Sequence, residues 1–188
     1  MMPRQKSGKA ETYTRYPSST IVIYNGSTIL HFLLGATGIA LACAYWPRVG
    51  YSLAILYFIL SFAEMYVVMP LTVCPSCTYR RIKGALCVAG LNLLSARMAK
   101  ERPKKEFPRR AEGIFCANNV YMASLMVPIA AMIAGMLFNF SAALLLVFLI
   151  VAALLIFRFF VIFPKLACLH CKAKHACPQA AAMGVRDK

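Results

Sequence analysis

The chain reads as an all-α integral membrane four-helix bundle, two parallel repeats of a helical hairpin with the N- and C-termini cytoplasmic. Three observations lead there. Of the 188 residues, 61% are apolar or aromatic and only 14% are charged, where an ordinary soluble domain holds about 25% charged residues. The 21 Lys and Arg against 6 Asp and Glu, a formal charge of +15, must therefore occupy regions apart from the apolar ones. Four segments stay apolar over the ~20 residues that a helix rising 1.5 Å per residue needs to cross ~30 Å of hydrocarbon. These features exclude a soluble enzyme as the default, and 8 Cys are too few for a disulfide scaffold of this length.

In chain order, a basic tail at residues 1–20 precedes the first span, Ile21 to Tyr45. That span exceeds the apolar core of about 7–15 residues found in a cleavable signal, and no small-residue cleavage site follows, so it reads as a retained anchor. Trp46-Pro47-Arg48-Val49-Gly50 forms a turn into the second span, Tyr51 to Met69, and the first hairpin repeat covers 21–77. A basic loop at 78–114 leads to the second repeat at 115–171, whose spans Val120 to Phe138 and Ala142 to Phe163 are joined by Asn139-Phe140-Ser141. A Cys/His tail at 172–188 ends the chain. Orientation follows from the cations: 4 lie before residue 21, 10 between Pro70 and Asn119 and 5 after Phe163, against Arg48 alone in the turns. Lys and Arg beside spans stay in the cytoplasm, which places both termini and the central loop there.

The repeat appears when the sequence is slid on itself by 94 residues. Pro70 falls on Pro164, Cys74 on Cys168, Cys77 on Cys171 and Asn25 on Asn119, so both halves carry Pro-x-x-x-Cys-x-x-Cys where the second span of the hairpin ends. Parallel repeats are related by an axis along the membrane normal. If spans two and four are neighbours, ~8–10 Å apart, the two Cys-x-x-Cys elements can close on one centre. The same offset sets Glu64 on Arg158, the two charged residues placed within spans. Charges at that depth usually face the protein interior and pair, so a Glu64–Arg158 ion pair is expected; the alternative is a snorkelling Arg158 with a neutral Glu64.

Seven thiols, Cys74, Cys77, Cys87, Cys116, Cys168, Cys171 and Cys177, belong to the cation-bearing side, and Cys43 to the other. In a reducing compartment, Cys-x-x-Cys spacing points to metal ligation or dithiol redox chemistry rather than a structural disulfide. Two intervening residues allow a tight knuckle whose thiolates converge, and nearby Lys and Arg favour the thiolate. Cys74, Cys77, Cys168 and Cys171 are the expected ligands of zinc or of an iron–sulfur cluster, with Cys87, Cys116, Cys177, His170 and His175 as possible further ligands. One shared site and two local sites are both open. Neither Cys-x-x-Cys is followed by His, which disfavours covalent c-type haem, and His31, the one histidine in a span, reads as hydrogen-bonded packing. The layout resembles that of protein acyltransferases, but their Asp-His-His-Cys motif is absent and their activity is not expected.

Within the loop, Ile82 to Ala99 is mostly small and apolar and reads as a short interfacial helix. Arg97, Lys100, Arg102, Lys104, Lys105, Arg109 and Arg110 follow, with Pro103 and Pro108 breaking any helix. Such a cluster attracts anionic lipid at ~1 kcal/mol per cation and can dock an acidic partner; nucleic acid is not expected, since no aromatic platform accompanies it. The expected role is an accessory or scaffold subunit, not an enzyme on its own, that joins other membrane or peripheral subunits through a cysteine-ligated metal site. The alternative is an iron–sulfur electron-transfer subunit of a membrane oxidoreductase. Spans with few polar groups argue against an ion pathway.

Overall fold

The computed structural model describes residues 10–111 and 116–186. The first nine residues of the basic tail, 112–115 of the loop region and 187–188 lie outside them. Among the described residues the fold is all-helical, with two isolated bridges and no β-strand. Helix α1 covers Ser18–Ala42, α2 Pro47–Ala63, α3 Leu91–Met98, α4 Ala117–Phe138 and α5 Ala142–Phe157. Helical structure runs on beyond α2 to Ser76 and beyond α5 to Cys168, and the four long helices are each apolar enough to cross a bilayer. Their outer faces carry Leu53, Ile55, Leu56, Ile59, Leu149 and Ile156, all largely exposed. Such apolar area is untenable in water and matches a lipid environment, as expected of a multi-pass membrane protein.

Local sequence accounts for the helix ends. Pro47 is the first residue of α2 rather than the middle of a turn, because its fixed φ suits that position and its missing N–H is not needed there. At the second hairpin, the Asn139 amide donates to Gly135 O at 2.8 Å before Ser141 opens α5. The Cys116 thiol caps α4, accepting from the Asn119 amide at 3.3 Å. In the central loop, Gly90 at φ 71° turns the chain into α3, a backbone conformation that favours glycine. Pro108 does not break the following segment but sits in the first turn of a short helix, Phe107–Ala111.

Helix α1 is the hub. It packs on α2, α4 and α5, whereas α2 and α5 do not pack closely on each other. The expected adjacency of spans two and four is therefore not formed, because α1 stands between them. The α1–α4 crossing is close: a Cβ on Gly38 would lie 2.3 Å from Met132 Sδ, and one on Gly135 would lie 2.7 Å from Ala42 Cα. Small residues let membrane helices approach in this way. His31, fully buried, bonds through Nε2 to Leu125 O at 3.0 Å. Leu125 lies three residues before Pro128, whose ring and missing N–H disturb the helix ladder.

Both second spans change winding at the same place. A π-helical stretch opens at Glu64 and runs to Val68, and another opens at Arg158 and runs to Cys168. Such stretches widen the helix and gather at functional sites. The second includes Pro164, whose carbonyl accepts from the Leu169 amide in the wider register.

Candidate functional site

The two Cys-x-x-Cys elements form matching knuckles. The Cys77 amide donates to Cys74 O at 3.1 Å and the Cys171 amide to Cys168 O at 3.2 Å. In each, the residue three further on repeats the bond, Arg80 to Cys77 O and Lys174 to Cys171 O, both at 3.1 Å. The two knuckles meet at one end of the bundle. Cys77, Cys87 and Cys171 pack about a buried kernel of Tyr16, Tyr79 and Ala85, and Cys168 lies against Met183. All eight cysteines are free thiols.

A strap made of residues 13–16 holds the knuckles in place. The Tyr13 amide donates to His170 O and its ring stacks on His170 at 4.5 Å, while the Tyr16 amide donates to Leu86 O at 3.0 Å and the Leu86 amide returns a bond to Thr14 O. The Tyr79 hydroxyl donates to Tyr13 O at 2.7 Å and accepts from the Lys172 amide at 3.1 Å. Tyr16 reaches Ala167 O. The buried Asn92 shapes the Cys87 turn, donating to Ala85 O at 2.9 Å and accepting from the Cys87 amide at 3.0 Å.

Burial dominates the thiol chemistry. It pushes Cys77 up to about 12, with Cys171, Cys87 and Cys177 adding to the shift and the Tyr79 amide opposing it. It pushes Cys171 up to about 11, opposed by the Ala173 amide and assisted by Cys177 and Cys87. Cys87 is also raised by burial. The shifts of Cys77, Cys87 and Cys171 are set by burial, neighbouring groups of the thiol region and backbone amides, not by a Lys or Arg; Lys174 is buried and donates to Leu169 O at 3.1 Å, and Arg80 reaches towards Ala96 O and Ala99 O.

Of the nine residues expected to ligate a metal, the knuckle cysteines with Cys87 and Cys177 are brought to one region. Among the described residues, however, no three of His, Cys, Asp or Glu are grouped closely enough to hold an ion. Tyr16 and Tyr79 pack against Cys77, Cys87 and Cys171. Cys116 stands apart as the cap of α4, His170 bonds Glu11 O through Nδ1 at 2.8 Å, and His175 is exposed.

The expected Glu64–Arg158 ion pair is not formed; among the described residues the ion pairs are Arg81–Glu101 and Arg110–Glu106. Arg158 instead points into the bundle, 0% exposed. Its guanidinium donates to Ser27 Oγ at 2.9 Å, to Thr28 Oγ1 at 2.7 Å and to the Tyr121 hydroxyl, and lies 5.1 Å from the Phe163 ring centre and 5.7 Å from that of Tyr24. Hydroxyls and ring faces stabilise the cation without a carboxylate. Glu64 has the opposite surroundings: one carboxyl oxygen is buried without a hydrogen-bond partner, and the side chain borders two cavities. One, of about 570 Å³, runs between α2 and α4; the other, of about 270 Å³, is lined also by Thr72, Arg110 and Cys116.

The basic loop packs back on the first knuckle, the Arg102 amide donating to Pro75 O at 3.1 Å and Arg81 to Arg102 O at 2.7 Å. Arg97, Lys100, Lys104, Lys105 and Arg109 are exposed, while Arg102 and Arg110 are half-buried. Tyr16, Tyr79, Asn92, Ser27 and Thr28 are the positioning residues that sequence reasoning missed. For Asn92 and the hydroxyl pair, the available signal was a polar residue within an apolar run. Compared with family models, with curated proteins and with solved structures, the chain matches none.

Proposed function

We propose that the protein is an accessory or scaffold subunit of a membrane complex, in which a cysteine-ligated metal centre on the cytoplasmic side clamps the two hairpins together. One observation carries this reading: four free thiols in two knuckles of the same backbone form, Cys74 with Cys77 and Cys168 with Cys171, gather at one end of the bundle with two more, Cys87 beside the first knuckle and Cys177 beside the second. The matching knuckles and the π-helical stretches that open at Glu64 and Arg158 support descent of the hairpins from one repeated unit. Thiolate ligands fit zinc or an iron–sulfur cluster. Because burial favours the protonated form of Cys77, Cys87 and Cys171, metal uptake there releases protons and is favoured as pH rises.

The chain's own residues set the terms of binding. Tyr79 links the strap to the second knuckle, Asn92 fixes the turn that presents Cys87, and the strap ties that turn to His170. A second reading, an iron–sulfur electron-transfer subunit, is favoured by the number of thiols, since zinc needs only four. Metal analysis and an absorption spectrum of protein purified without oxygen separate the two. A colourless sample with one zinc per chain supports the clamp; a broad band near ~400 nm that dithionite bleaches supports the cluster. A sample with neither metal, from cells supplied with both, overturns both readings.

A further inference from the structure

We propose that the groove between α2 and α4 binds a lipid-soluble quinone, with the ring at Glu64 and the apolar tail along the helices towards Leu53 and Ala131. This inference does not rest on the metal reading.

The groove exists because α2 and α4 diverge. They meet through the π-helical stretch Glu64–Val68 and barely touch along the rest of α2, whereas α5 lies closely against α1. From Leu53 to Glu64 and from Val120 to Ala131 each wall is 12 residues long, about 16 Å from end to end at a rise of 1.5 Å per residue. Leu53, Leu56, Leu60, Val127 and Ala131 make most of it apolar. Polar atoms are concentrated toward the Glu64 end, with Ser61 and Ser124 one turn away and Tyr57 beyond them.

Two buried polar atoms call for a partner there. One Glu64 carboxyl oxygen and the hydroxyl of Tyr57, a side chain only 8% exposed, make no hydrogen bond of normal geometry. Leaving such groups without partners in an apolar medium costs about 1–3 kcal/mol each. A ligand that satisfies them is neutral at its head, because an anionic head would face the carboxyl. It also both accepts and donates, because a carboxyl group changes role with its proton. A quinone carbonyl accepts from the protonated acid or from Tyr57, and the reduced hydroxyl donates to the carboxylate. A fatty acid fails the first requirement. Glu64 also borders the smaller cavity with Thr72 and Arg110, so its proton is reachable from the thiol-bearing end while the ring occupies the groove.

The test uses the full chain in phosphatidylcholine nanodiscs and a decyl-tailed benzoquinone, with an azido derivative for photolabelling. The expected result is saturable binding of one quinone per chain, with label on peptides of α2 and α4. Glu64→Leu weakens binding about tenfold or more, the loss of one hydrogen bond to a polar head, whereas Glu64→Gln, which keeps a donor and an acceptor, stays within about threefold. Ala123→Phe, at an exposed position lining the groove, blocks binding; should it elute as misfolded protein, Leu56→Trp at another exposed lining position serves instead. Uptake no greater than that of empty nanodiscs, label outside α2 and α4, equal affinity in the blocked variants, or equal displacement by palmitate overturns the proposal. So does disulfide crosslinking of Ser124→Cys between chains in quinone-saturated samples, which would show a second copy in the groove.

Discussion

Among the described residues, hydroxyl oxygens and ring faces hold Arg158 in the bundle, and its surroundings set a definite ranking of variants. A lysine keeps the charge but loses the planar fork that reaches Ser27, Thr28 and Tyr121 at once. R158K should therefore destabilise by about 2 kcal/mol, of the order of one hydrogen bond to a charged group. R158M should cost less, since it removes the buried charge and Ser27 and Thr28 keep Tyr24 O as an acceptor. Unfolding midpoints in mixed detergent micelles check the order, and an R158M protein less stable than R158K would refute it. The thiols give a pH prediction for protein stripped by chelator. Cys77 and Cys171 are raised to about 12 and about 11 from 9.0. A raised folded value means that the stabilisation is complete below pH ~9 and is lost as pH climbs through 11 to 12. Stability measured from pH 8 upward should hold to about 9 and then fall, while alkylation of both thiols by iodoacetamide should stay slow at pH 8 and accelerate with alkali. At this scale, sequence identified Glu64 and Arg158 as exceptional but not their partners. An offset of 94 sets these two residues on one another in sequence; it does not say that α1 lies between them.

Among the elements, the α1–α4 crossing shows how contact geometry decides the cost of one methyl group. At Gly38 an added Cβ meets the flexible end of Met132, but at Gly135 it meets the backbone of Ala42. G135A should thus be the more destabilising, by about 1–3 kcal/mol as for other overpacked sites, and G38A markedly less; thermal unfolding in detergent compares them. The strap gives a second test. Y79F removes both the bond to Tyr13 O and the one from the Lys172 amide, at a cost of about 1–3 kcal/mol, and should speed hydrogen exchange at Lys172 with little change in exchange within α1. The long helices were legible because apolar length is a strong signal, and the knuckles because Cys-x-x-Cys spacing is local. The π-helical stretches and the strap were not, since the first depend on helix winding around Pro70 and Pro164 and the second on bonds such as Tyr13 to His170 that no local pattern encodes.

At the scale of the whole molecule, the cation count and the packing agree on a simple division. Apolar helices fit the bilayer, and the Lys, Arg and thiol-rich segments meet at one end, where the central loop, the strap and the tail are joined by hydrogen bonds. Pairs at the helix crossing such as His31 with Leu125 and Gly38 with Met132 stand 94 residues apart, the repeat offset itself. The arrangement is nevertheless uneven: α5 closes on α1, and α2 leaves a groove beside α4. Matching segments in sequence carry no information on such departures, which go with side chains that differ between the halves: Arg158 is buried against Ser27, Thr28 and Tyr121, whereas Glu64 borders two cavities.

The bond between Tyr13 and His170 also orders events during synthesis. At about 5–20 residues per second, the 157 residues separating these partners take roughly 8–30 s to make. Through that interval both hairpins can insert, while the strap has its bonds to Leu86 and Tyr79 but not yet the one to His170. The strap is thus tied down in two stages, and its bond to His170 serves as the seal that is set once the second knuckle has emerged.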